Sequence, residues 1–265
     1  MSRRARSPFS FALALFACVA LFAAPGADAG GVHVGAKAYP APFVVQPPHG
    51  GETRAVVVML HGLGGGPEGW RSLAQLIPFD GVKWIFPNAP TIPVSLRQGR
   101  KEPAWYDMTS LKPESLWDDR DGILESSDYV VSVLKGVIRE GVPPSKIVLG
   151  GFSQGGAVSL TTALHSAGLP LAGVFSLSSY LPMHDEYATG KMTLAKVARD
   201  IPVFIAHGTA DPVLAYSLGE RTVKQLWAMQ VKKVEWLSKL VTSRLIIVTM
   251  KRAPKNRYTR IWDRP

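Results

Sequence analysis

Cysteine is nearly absent from this chain: Cys18 is the one thiol in 265 residues, and it lies in an apolar stretch near the N-terminus. A mature chain cut beyond that stretch has no disulfide, no thiolate chemistry and no Cys-ligated metal. Long apolar runs are missing too. The longest, Phe9 to Ala24, is 16 residues, short of the roughly 20 that cross a bilayer as a helix. No Gly-Lys-Ser/Thr phosphate loop is present, and no internal repeat. The absence with the largest chemical consequence is of histidine: none follows His207.

Net charge is +10, which by itself points to nucleic acid or membrane surfaces. The distribution removes that reading. Residues 1–29 hold three arginines against Asp28, and residues 237–265 hold eight Lys/Arg against Asp263. Between them, 19 basic side chains face 18 acidic ones, so the body of the chain is close to neutral and no nucleic-acid partner is expected. The N-terminal excess has its own explanation. Arg3, Arg4 and Arg6 precede the apolar run, and Ala27-Asp-Ala29 follows it. That is the order of a secretory signal cut after Ala29, which predicts a secreted or lumenal protein with no membrane span once the signal is removed. Import into an organelle is the alternative.

Short Val/Ile-rich runs then alternate with helical stretches. The runs are Ala55–Leu60, Val82–Phe86, Ile147–Phe152, Ala172–Leu177, Pro202–Ala206 and Val234–Trp236, preceded by Phe43–Val45, an edge strand or an entry loop among prolines and glycines. Helical periodicity falls at about 68–77, 121–140, 154–167, 193–199 and 215–230. Continuous apolar strands between helices call for a mostly parallel sheet covered on both faces. Ligands of such sheets sit beyond the carboxyl ends of the strands. Three strands here end in turns rich in chemistry: at His61–Gly66, at Ser153 and at His207–Asp211.

Gly151-Phe-Ser153-Gln-Gly155 turns from a strand straight into a helix. Such a turn lifts a serine Oγ clear of the backbone, and its glycines remove side chains that would collide there. Acyl transfer also needs N–H groups aimed at the developing oxyanion. Gln154, next after the serine, supplies one, and the glycine-rich loop after Leu60 supplies another, assigned to Leu63. Asp211, 58 residues beyond Ser153, fits the order serine, acid, histidine. The histidines that exist are poorly sited for the third part. His33 and His49 precede the first strong strand, His165 lies at the far end of the helix that starts beside Ser153, and His61 and His207 occupy strand ends. His184 falls in a loop and is the one candidate substitute.

Taken together, Met59-Leu-His-Gly-Leu-Gly64 with Trp70, Phe86-Pro-Asn-Ala-Pro90, Ala104-Trp-Tyr-Asp107, Gly150-Gly-Phe-Ser-Gln-Gly-Gly156, Leu177-Ser-Ser-Tyr-Leu-Pro182 and His207-Gly-Thr-Ala-Asp-Pro212 resemble the acyl-protein thioesterase and carboxylesterase family of the α/β-hydrolase fold. The resemblance runs from about residue 41 to 236. It implies an α/β domain over 30–236 after the signal, with Ser153 as nucleophile, Asp211 as acid, and Leu63 and Gln154 as oxyanion donors. It places Trp105, Leu116 and Trp117 around an acyl-binding pocket and requires no cofactor or metal. The implied substrate is an acyl ester or thioester, on a small molecule or a lipidated protein. In the family a strand such as Val234–Trp236 leads into a Gly-x-x-His turn carrying the catalytic base. Residues 237–265 do not match and form a divergent basic tail. Weak activity or none is therefore expected, and the competing reading is a non-catalytic hydrolase-like binding protein or an inactive truncated isoform.

Overall fold

The computed structural model describes residues 31–35, 37–47, 51–76, 79–115, 118–240 and 242. The signal segment, His49, Leu116, Trp117 and the basic tail beyond 242 lie outside them.

A seven-stranded sheet organises the fold, in the order β11-β10-β9-β8-β4-β5-β3. Its strands are β3 (Phe43–Val45), β4 (Ala55–Leu60), β5 (Val82–Phe86), β8 (Ile147–Phe152), β9 (Gly173–Leu177), β10 (Val203–Gly208) and β11 (Val234–Lys239). All neighbours run parallel except β3, which pairs antiparallel with β5 at one edge. β4 shows why both faces must be covered. Val56, Val58 and Leu60 enter one apolar cluster, while Val57 and Met59 enter another. Alternation along a strand sends successive side chains to opposite faces, and here both are apolar.

Helices α2 (Arg120–Arg139), α3 (Gln154–Thr161) and α5 (Tyr216–Ala228) contribute Ile123, Leu134, Val158, Leu218 and Leu226 to the first cluster. Helix α1 (Glu68–Leu76) covers the opposite face with Trp70 and Ala74. Helix α2 starts where the sequence supplies a cap: the Asp119 carboxylate accepts from Gly122 N–H at 3.0 Å, satisfying one of the donors that every helix start leaves free. Among the described residues no helix is long and apolar enough to cross a membrane.

Several expectations need correction. Residues 193–199 do not form a helix; a single 3₁₀ turn at Ala198–Asp200 follows an irregular run. His184, expected in a loop, instead opens the short helix α4 (His184–Thr189). The last strand continues three residues past Trp236, to Lys239, pairing in register with β10 as far as Gly208. Two hairpins were not foreseen: β1 (Val32–Val34) with β2 (Lys37–Tyr39), and β6 (Thr91–Val94) with β7 (Arg100–Pro103).

Candidate active site

The three chemically loaded turns all leave the same edge of the sheet, because β4, β8 and β10 are parallel. β8 lies directly beside β4 and two strands from β10, about 10 Å away at the usual strand spacing.

Ser153 has φ 52° and ψ −123°, a conformation that L-residues rarely adopt and that costs of order 1–3 kcal/mol. The neighbours enforce it. Its N–H donates to Leu177 O at 2.9 Å, and its carbonyl accepts from the Ser179 hydroxyl at 2.6 Å. Glycine is required around it by space. A Cβ on Gly155 would lie 2.6 Å from Leu60 O, and one on Gly151 would lie 2.8 Å from Gly156 N. Helix and strand thus meet backbone to backbone, and the serine crosses between them. Among the described residues Ser153 Oγ has no hydrogen-bond partner.

The loop after β4 lies against this turn: a Cβ on Gly62 would be 3.2 Å from Ser153 Cβ. Within the loop Gly64 N–H donates to Pro103 O at 2.8 Å and Gly65 N–H to Gly62 O at 3.0 Å. Among the described residues the N–H groups of Leu63 and Gln154 donate to no acceptor, so two free donors flank the serine. His61, at the base of the loop, is 2% exposed. Its Nε2 accepts from Ala89 N–H at 3.2 Å, so its proton resides on Nδ1 and is donated to Gly62 O at 2.8 Å. Burial holds this imidazole below its ordinary pKa, against the smaller opposing effect of that carbonyl, and it is a neutral structural ring.

Asp211 follows β10 in a tight turn. Its Oδ1 accepts from Val213 N–H at 2.9 Å and from Leu214 N–H at 3.1 Å. Its Oδ2 is enclosed and has no hydrogen-bond partner. The His207 ring is 3.6 Å away and equally buried, but Nε2 faces Leu214 O at 3.0 Å. His165 Nδ1 faces Thr193 O at 2.8 Å, and His184 Nδ1 lies 3.3 Å from Asp185 Oδ1. His207 Nε2 and His165 Nδ1 thus each face a backbone carbonyl, and His184 opens α4 beside Asp185.

Of the three residues assigned to the pocket wall, Leu116 and Trp117 lie outside the described residues, and Trp105 requires correction. It is 0% exposed and packs beside the stacked pair Tyr39–Tyr129, its ring centroid 6.5 and 6.3 Å from theirs. Its indole N–H donates to His61 O at 2.8 Å. It therefore has no exposed surface with which to border a pocket. The Gln154 side chain was missed altogether. Fully buried, it accepts from Trp105 N–H at 2.9 Å and donates to Tyr106 O at 2.7 Å. No local sequence signal marks that bridge, since its partners lie 48 and 49 residues away.

A doubly covered parallel sheet with a serine elbow after a central strand defines an α/β-hydrolase. Residues 41–241 match the phospholipase/carboxylesterase family model, and the chain belongs to that family. It is 43% identical over 173 residues to acyl-protein thioesterase 1 of Cryptococcus neoformans var. neoformans serotype D, covering 64% of this chain and 71% of that protein. Against acyl-protein thioesterase 1 of Mycosarcoma maydis it is 38% identical over 209 residues, covering 73% and 85%. Among solved structures, acyl-protein thioesterase 2 of Zea mays superposes with a TM-score of 0.65 at 31% identity, covering 76% of this chain and 90% of that one.

Proposed function

We propose that this protein hydrolyses carboxylic esters or thioesters through an acyl-enzyme on Ser153. The observation that carries the reading is the strained Ser153 backbone, flanked by the unpaired N–H groups of Leu63 and Gln154. Ser153 Oγ attacks the acyl carbonyl, and the carbonyl oxygen gains charge as it becomes tetrahedral. Leu63 N–H and Gln154 N–H donate to that oxygen. Collapse expels the alcohol or thiol and leaves an ester on Ser153, which water then hydrolyses. Asp211 is the acid of the constellation. Its Oδ1 is fixed by two backbone donors, and its Oδ2 is the oxygen that would orient a base.

No histidine follows Asp211, so the proton on Ser153 Oγ leaves to water. Loss of one member of such a triad removes several orders of magnitude of rate, while oxyanion stabilisation retains about 10³-fold over water. Weak turnover of activated esters is the result. The acyl-protein thioesterase relatives favour acyl groups on proteins as substrates. The signal-like segment 1–29 instead favours small acyl esters outside the cytosol, and N-terminal sequencing of the secreted protein tests it by looking for Gly30 as the first residue.

A fluorophosphonate probe tests the enzyme reading directly. Labelling of the purified chain that disappears in Ser153→Ala supports it. No Ser153-dependent labelling at any probe concentration sinks it in favour of a non-catalytic binding protein, the reading that the missing base favours.

A further inference from the structure

Every polar atom of Trp105 is engaged, and each engagement ties down a different part of the fold. The backbone N–H donates to Gln154 Oε1 and the indole N–H to His61 O. The carbonyl accepts from the Ser126 hydroxyl of α2 and, at 3.4 Å, from Lys37 Nζ of the β1–β2 hairpin. Lys37 is itself held by Glu125 at 3.0 Å. Gln154 closes the circuit by donating from Nε2 to Tyr106 O.

The two free N–H groups beside Ser153 come from segments more than 90 positions apart in the chain. Leu63 belongs to the loop after β4 and Gln154 to the first turn of α3. One oxygen can use both donors only if their separation and direction are fixed to within a fraction of an ångström. Sheet pairing registers β4 with β8, Leu60 opposite Gly151, but the donors lie past the last paired residues. The covalent neighbours of both donors converge instead on Trp105: His61 O is two residues before Leu63, and Gln154 carries the other donor itself.

We propose that Trp105 is the positioning residue of the oxyanion site. Through its indole and backbone N–H groups it holds the Leu63 loop and the Gln154 turn in mutual register. The Gln154 carboxamide is its counterpart on the other side. Trp105 touches no substrate, which separates this role from the pocket-wall assignment. The stacked pair of Tyr39 and Tyr129 beside its ring and the Ser126 and Lys37 donors keep Trp105 from moving, so the N-terminal hairpin serves the site without reaching it. This inference rests on the reading of Leu63 and Gln154 as oxyanion donors.

The test is the fluorophosphonate reaction of the full chain, resolved into a probe affinity KI and a maximal rate kinact. Trp105→Phe removes the indole N–H, and Gln154→Glu keeps the acceptor while removing the donor to Tyr106. Both should lower kinact about 10- to 100-fold, the usual cost of misplacing a transition-state contact by about 1 Å, with KI changed less than about twofold. Val223→Ala, a buried position on α5, provides a control of lowered stability and should leave kinact as in the wild type. A raised KI with unchanged kinact in Trp105→Phe would make Trp105 a pocket wall and overturn the proposal, as would wild-type values for both constants. If the wild-type chain shows no Ser153-dependent labelling, the enzyme reading fails and amide exchange decides the positioning claim. The Gly64 and Gly65 N–H groups should then exchange at least about tenfold faster in Trp105→Phe, and equal exchange rejects it.

Discussion

The Asp211 carboxylate and the His207 imidazole lie 3.6 Å apart with both side chains enclosed, yet they do not hydrogen-bond. His207 Nε2 is spent on Leu214 O at 3.0 Å, on the same turn that Asp211 Oδ1 ties from the inside. His207 therefore shapes the Asp211 turn and leaves Oδ2 with no partner. A purely structural aspartate has little reason to hide an oxygen from every donor, because burying an unpaired charged oxygen is costly.

That arrangement separates two substitutions. Asp211→Ala strands the Val213 and Leu214 N–H groups and should lower stability by about 1.5–3 kcal/mol, the range for hydrogen bonds to charged groups. Asp211→Asn keeps an acceptor at the Oδ1 position and should cost less than about 1 kcal/mol on the same scale. Urea midpoints compared at constant m-value check both. Equal losses would mean that the turn does not depend on Oδ1.

Supplying an external base is the complementary experiment. Free imidazole at tens of millimolar, an order-of-magnitude choice for a general base of pKa near 7, should accelerate Ser153-dependent hydrolysis of an activated ester. The Ser153→Ala protein at the same imidazole concentration provides the background to subtract. A subtracted rate that does not rise with imidazole would mean that proton removal from Ser153 is not what limits this chain.

Backbone strain at Ser153 predicts an unusual sign. With φ at 52°, Ser153→Gly replaces a strained residue by one that enters this region freely. The variant should be inert to the fluorophosphonate probe and yet at least as stable as the wild type, by up to about 1–2 kcal/mol at strained positions of this kind. Thermal melts of Gly, Ala and Ser at 153 order the three, and a glycine variant that melts lowest would show the elbow to be unstrained.

The elbow's glycines behave in the opposite way. A methyl group on Gly155 points into the Leu60 and His61 carbonyls at the end of β4, and neither backbone can withdraw without breaking the β4–β8 register. Gly155→Ala should lose about 1–3 kcal/mol or more, as overpacking against rigid neighbours does. At Gly69, where a Cβ meets nothing within 4 Å, the same change on helix α1 should stabilise, by about 0.5–1 kcal/mol from helix propensity. Chemical denaturation of the two variants measures the contrast.

The sheet and the elbow were legible in the sequence because β4, β8 and β10 are continuous apolar runs, the first two ending in glycine-rich turns. The two hairpins were not. Thr91–Pro103 carries prolines at 93 and 103 and charges between them, and Val32–Tyr39 alternates too briefly for a period to register. Residues 193–199 have a helix-like composition, but the chain there is tied to the π-helical turn Thr162–Ser166 that follows α3, by Ala195 N–H donating to Leu164 O at 2.8 Å. The burial of Trp105 is not legible either. Its motif places it near Ser153, while its packing beside Tyr39 is a tertiary fact that 65 intervening residues conceal.

Stability should also depend on pH through His61. Its ring is buried and its pKa depressed, and protonation would turn Nε2 into a donor facing the Ala89 N–H donor. In the unfolded chain the same ring takes a proton near pH 6.5. The unfolded state therefore binds more protons just below that pH, and stability present above it is lost as pH falls, by at most about 1.4 kcal/mol per pH unit from this group. Urea unfolding of the wild type and of His61→Gln at pH 7.5 and 5.5 isolates the contribution: the wild-type loss should exceed that of the variant. Because His61 O is the acceptor of the Trp105 indole, the acid side should also loosen the Leu63 loop before the molecule unfolds. Faster exchange of the Gly64 and Gly65 amides at pH 5.5, after correction for the intrinsic rate, would register that loosening. Corrected rates that match those at pH 7.5 would separate the ring's protonation from the loop.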